Sequence, residues 1–107
     1  MTDLRRHPRR RTLLSGKLVF DGGARSFDCV IRDMSASGAR VQLPGPEILP
    51  RILWLIEMRA GLAHQCRVSW RQGRETGLQF EQSHGLTEAG EGELAMLRQL
   101  WLQGRPR

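Results

Sequence analysis

Tyrosine is absent, and lysine occurs once, at Lys17. Aromatic residues make up only 6% of the 107 residues. The Trp and Phe positions mostly have strand-like apolar neighbours, and Trp54 and Trp70 read as core. Small barrels that hold single-stranded nucleic acid usually expose aromatics on one face, so that partner is disfavoured. Cysteine is scarce too. Cys29 and Cys66 each sit in an apolar run and read as buried free thiols, because an unpaired Cys packs as a small hydrophobe. No signal peptide supports an oxidising compartment, and no apolar run approaches the length of a membrane span. The expectation is a cytoplasmic protein. P-loop and Rossmann fingerprints are missing. His7, His64 and His84 are scattered and show no zinc-ligand spacing with the cysteines. Ser35 and Ser37 have no His placed for a triad. The expectation is therefore a protein that is not an enzyme, with no metal and no cofactor.

What the chain does have is arginine. The net charge is +6, and nearly all the positive charge is guanidinium. Arginine presents a planar fork of donors that matches phosphate and the O6/N7 edge of guanine, whereas lysine is a point charge. The bias leans towards nucleotide, nucleic acid or other phosphate partners, against the plainer reading of a solvated basic surface. Five of the arginines crowd into Arg5-Arg6-His7-Pro8-Arg9-Arg10-Arg11. Their mutual repulsion predicts that residues 1–11 form a flexible arm rather than a packed element.

Beyond the arm, the length suits one domain with one modest core. Residues 13–20 read as a strand, closed by the turn signal Asp21-Gly22-Gly23. Alternation of apolar residues predicts strands over 27–32 and 39–43. The run 52–56 (Ile-Leu-Trp-Leu-Ile) is continuously apolar and predicts a strand buried on both faces. Further strands are predicted over 62–70 and 77–80, with Leu62, His64, Cys66, Val68 and Trp70 on one face. Six short strands at even spacing argue for a mainly β protein, a small antiparallel six-stranded barrel spanning 12–82. In the C-terminal segment 83–107 the period changes. Leu94, Leu97 and Trp101, with Met96 and Leu100, form a helical stripe that predicts a helix over about 91–103, packed on the barrel mouth.

Between the second and third strands lies Asp33-Met34-Ser35-Ala36-Ser37-Gly38. Asp, Ser and Gly favour turns, which would explain any one of them. Taken with the arginine run upstream, the pattern resembles the PilZ domain, the bacterial receptor module for cyclic di-GMP. Its signature is R-x-x-x-R near the start, then [D/N]-x-[S/A]-x-x-G one hairpin later. Asp33, Ser35 and Gly38 match the second half. The first half matches in two registers, Arg5 with Arg9 or Arg6 with Arg10, and the second of these is favoured. Arg11 begins the strand. The resemblance runs from about residue 4 to residue 80 and implies a six-stranded barrel with a C-terminal helix. It also implies that the arginines bind guanine and phosphate, that Asp33 and Ser35 bind the guanine, and that Gly38 shapes the turn.

The residue chemistry agrees with that implication. A carboxylate accepts from guanine N1–H and N2–H₂, and a nearby hydroxyl adds to the same edge. Asp33 and Ser35 share side-chain parity along an extended segment, so both can face one base. The expected function is a stand-alone cyclic di-GMP receptor whose arm orders on binding and which signals to a protein partner, as a monomer or weak homodimer. Two alternatives remain at this stage. One is a small basic barrel for single-stranded nucleic acid, and the other is a degenerate PilZ adaptor that binds protein alone.

Overall fold

Alternating apolar side chains close the sheet on itself. The computed structural model describes residues 10–88 and 90–104. Its strands are β1 (Arg10–Phe20), β2 (Arg25–Met34), β3 (Gly38–Gln42), β4 (Ile52–Glu57), β5 (Leu62–Gln72) and β6 (Glu75–Gly85). They form a closed antiparallel barrel in the order β1-β2-β3-β6-β5-β4, with β4 pairing back onto β1. A single helix follows, α1 (Gly92–Gly104). The predicted turn at 21–23 joins β1 to β2, and Asp21, Gly22 and Gly23 all take positive φ there.

Every strand contributes to the interior. Leu18 and Phe20 of β1 meet Cys29 and Ile31 of β2, Ala39 and Val41 of β3, Leu53 and Leu55 of β4, Cys66 of β5 and Leu78 of β6. Both cysteines are buried free thiols, as their apolar surroundings predict. Desolvation by burial pushes each thiol up to about 12, so neither is a nucleophile at neutral pH.

A second cluster lies on the outside of the wall. Val19, Trp54 and Ile56 alternate with the interior residues of β1 and β4, and they pack against Leu97 and Trp101 of α1. The prediction that β4 is buried on both faces holds: Leu53 through Ile56 are all buried. The helix stripe is also as expected, but its location is not. It covers the outer wall of the barrel rather than the mouth, because β1 and β4 present apolar residues on both faces and only a helix can cover the outer set. Full burial of Leu97, like that of any large aliphatic side chain, contributes about 1.5–3 kcal/mol.

Several strands run further than their hydrophobic patterns reveal, β1 and β6 among them. β1 begins at Arg10, inside the stretch assigned to the arm. β6 continues to Gly85, past both residue 80 and the expected barrel boundary at 82. The added residues are polar, so they carry no alternation to detect; backbone pairing with β2 and β5 holds them in the sheet.

Candidate functional site

A pair of register shifts sets the geometry of the Asp33–Gly38 stretch. Ile31 pairs with Val41 and Asp33 with Arg40, so Arg32 is an extra residue in β2 against β3. On the other side, pairing moves from Leu14–Ile31 to Arg11–Asp33, an extra residue in β1. A β-bulge turns the following side chains to the opposite face. Ile31 therefore points into the core, whereas Asp33 joins Arg40 on the outer surface. Asp33 lies within β2, not in a turn as the sequence suggests, and it is 8% exposed.

Arg40 organises this surface. Its Nε donates to Asp33 Oδ2 at 2.5 Å, and its Nη1 donates to Glu75 Oε1 at 2.8 Å. Hydrogen bonds to Asp33 and then Glu75 hold its guanidinium above its already high pKa. Sequence reasoning missed Arg40, because a lone Arg on a strand carries no motif; its position opposite Asp33 emerges only from the bulged register.

Trp70 was missed as well, and the reading of it as core is corrected. It is 36% exposed, while Trp54 is buried as expected. The cause is a second irregularity: Val68 pairs with Leu78 but Trp70 with Gly77, leaving Ser69 extra in β5 and moving Trp70 off the core face. Its indole lies over Gly77, where a Cβ would come within 2.0 Å of Nε1, so only glycine fits. Arg40 is the β3 partner of the same Gly77. The register thus lines up Arg11, Asp33, Arg40, Gly77 and Trp70 across five adjacent strands.

The turn itself is short. Ser35 N–H donates to the Gly38 carbonyl at 2.9 Å, and the Ser35 hydroxyl accepts from Ser37 N–H at 3.2 Å. Gly38 does not take the positive φ that a turn glycine offers. A Cβ there would sit 2.4 Å from the Leu78 carbonyl oxygen, so Gly38 serves the close approach of β3 to β6. Gly38 thus closes the turn through its carbonyl without adopting left-handed backbone.

Of the arginine run, Arg10 and Arg11 enter the sheet opposite Met34 and Asp33. Arg5, Arg6 and Arg9 lie outside the described residues, and so does the arm's conformation over residues 1–9. Arg10, a member of the favoured first-half pair, is thus the backbone partner of Met34, and Asp33 of the second half is that of Arg11.

Beside the turn, at the barrel mouth, His64 stacks on Phe80 with ring centroids 4.1 Å apart and planes 6° from parallel. Its Nδ1 bonds the Ser83 hydroxyl at 2.7 Å, and its Nε2 stands 3.6 Å from Glu57 Oε2. Desolvation lowers its pKa below 6.5, and Glu57 opposes this only in part. A His whose pKa is lower folded than unfolded takes up a proton more readily on unfolding. Stability should therefore be full above pH 6.5 and decline as pH falls below it. Urea unfolding between pH 8 and pH 5 should show this decline in the parent and a flatter profile in His64→Phe.

Here, then, is a closed barrel with an acidic and hydroxyl-bearing hairpin on its surface, approached by arginines from the preceding strand. The family model of the PilZ domain matches residues 3–95, and the chain belongs to the PilZ domain family. This is a family of cyclic di-GMP receptor modules, which bind ligand rather than catalyse. No curated protein gives a significant match. Among the described residues, no helix is long and apolar enough to cross a membrane.

Proposed function

We propose that this chain binds cyclic di-GMP on the barrel wall and passes the signal to a protein partner as a stand-alone receptor. The observation that carries this reading is the β1–β2 register, which sets Arg10 and Arg11 opposite Met34 and Asp33. In this reading Asp33 accepts from the N1–H and N2–H₂ edge of one guanine, since a carboxylate accepts several hydrogen bonds at once. Arg40 keeps that carboxylate charged and oriented. Ser35 adds a hydroxyl at the same edge. The Trp70 indole offers a face on which a base can stack. Arg5, Arg6, Arg9 and Arg10 supply forks for phosphate and for guanine O6/N7.

The arm closes over the bound nucleotide as its charge is neutralised, and binding weakens with added salt because that charge is screened. Ordering the arm costs free energy, which holds affinity to a moderate level.

Calorimetric titration with cyclic di-GMP, with GMP and GTP as controls, tests the assignment. Arg6→Ala and Asp33→Ala should each lose roughly 1–3 kcal/mol of binding, the value of one bidentate base contact. Trp70→Ala should lose about 1–3 kcal/mol, as for stacked bases elsewhere. Variants that bind as tightly as the parent would overturn the assigned roles. Binding of single-stranded DNA in place of the dinucleotide would favour the nucleic-acid alternative.

A further inference from the structure

Strand β2 is longer than one of the neighbours that cover it. It pairs with β1 from Arg25 to Met34, but with β3 only from Val30 to Met34. Past Gln42 strand β3 ends and Pro44-Gly45-Pro46 follows, where proline has no N–H to continue a ladder. Among the described residues, no backbone hydrogen bond reaches the far side of Arg25–Asp28. Alternate residues of this segment therefore turn unpaired N–H and C=O groups outward. Arg25, Ser26 and Asp28 are exposed as well.

An open edge is a template for another chain unless proline or charge guards it. Residues 25–29 contain no proline, and their charges are already neutralised. Lys17 Nζ stands 2.8 Å from Asp28 Oδ1, and Arg25 Nε stands 3.7 Å from Asp21 Oδ2. Beside the edge, where β3 departs, is an open groove of about 590 Å³. Asp28 and Val30 line it from β2, Leu43 and Pro44 from beyond β3, and Arg74 from the β5–β6 turn. Val30 is 39% exposed, an apolar side chain without cover. Arg74 is exposed and makes no ion pair among the described residues.

These features match recognition by strand addition. Main-chain bonds hold the peptide there, and pockets beside the edge read its alternate side chains. Residues two apart along a strand share a face, and a chain of net charge +6 favours an acidic partner. We infer that an extended, acidic segment of a partner protein adds to β2 along Arg25–Asp28, setting an aliphatic side chain on Val30 and, two residues away, a carboxylate on Arg74. This edge lies at the end of β2 remote from Asp33. The inference goes beyond the cyclic di-GMP reading and does not depend on it.

The test is nuclear magnetic resonance on the full chain without nucleotide. The probe is the acetylated and amidated peptide Thr-Val-Thr-Glu-Thr-Val, with Thr-Val-Thr-Lys-Thr-Val as control. At millimolar concentration the acidic peptide should bind and slow amide exchange at the outward-facing residues of Arg25–Asp28. It should bind roughly fivefold more tightly than the lysine peptide, the upper worth of one exposed ion pair. Arg74→Glu should reverse that order; if this variant does not fold, the two peptides on the parent decide. No binding of the acidic peptide, binding that leaves these amides exchanging as before, or equal binding of both peptides overturns the proposal. Slower exchange on raising the protein concentration alone assigns the edge to a second copy and overturns it too. None of these outcomes bears on cyclic di-GMP, which the nucleotide titration tests separately.

Discussion

Trp101→Ala should lower the unfolding free energy by about 3–5 kcal/mol, the cost of truncating a buried aromatic. Trp101 is 5% exposed and packs in the outer-wall cluster with Val19, Trp54 and Ile56. Its Nε1 donates to the Met58 carbonyl at 2.8 Å. Its six-membered ring lies so close to Gly61 that a Cβ there would come within 2.5 Å of Cζ2. The truncation removes the packing of α1 and the donor to Met58 together. Small domains hold only about 5–15 kcal/mol in total, so the variant should unfold at markedly lower urea. Urea titration followed by far-ultraviolet circular dichroism measures this directly. A loss under about 1 kcal/mol, the level of an ordinary surface change, would mean that the helix is peripheral to the fold.

Gly38→Ala should cost about 1–3 kcal/mol through overpacking, towards the upper end because the obstruction is backbone. The new methyl would meet the Leu78 carbonyl oxygen at 2.4 Å. Rotation of a side chain cannot relieve that clash, so β3 and β6 must separate. The hydrogen bond from Phe80 N–H to the Ser37 carbonyl, 2.8 Å long, lies in the path of the movement. The loss should appear in thermal unfolding with no nucleotide present. A variant as stable as the parent that has lost only ligand binding would show instead that Gly38 acts through contact with the nucleotide.

The barrel was readable from the sequence because its interior obeys a period of two and its turns carry Gly and Asp. The double burial of β4 was readable from five consecutive apolar residues. Polar strand ends were not: Arg10 and the segment 83–85 belong to the sheet through backbone bonds that leave no trace in side-chain pattern. The helix stripe was visible, but which wall it covers depends on Val19, Trp54 and Ile56, whose outward direction follows only from barrel closure. At the candidate site, Asp33, Ser35 and Gly38 stood out by their spacing. Arg40 and Trp70 were not, because both depend on bulges at Arg32 and Ser69 that invert parity. A strand with an extra residue defeats any argument from strict alternation.

The three tryptophans occupy unequal surroundings. Trp54 and Trp101 are enclosed beneath the helix, at 8% and 5% exposure, while Trp70 stands at 36% on the proposed recognition wall. A collisional quencher such as acrylamide reaches Trp70 first, so the quenchable fraction of the intrinsic emission reports on that wall alone. The molecule thus carries its own optical label where a ligand would stack, with no dye or added chromophore.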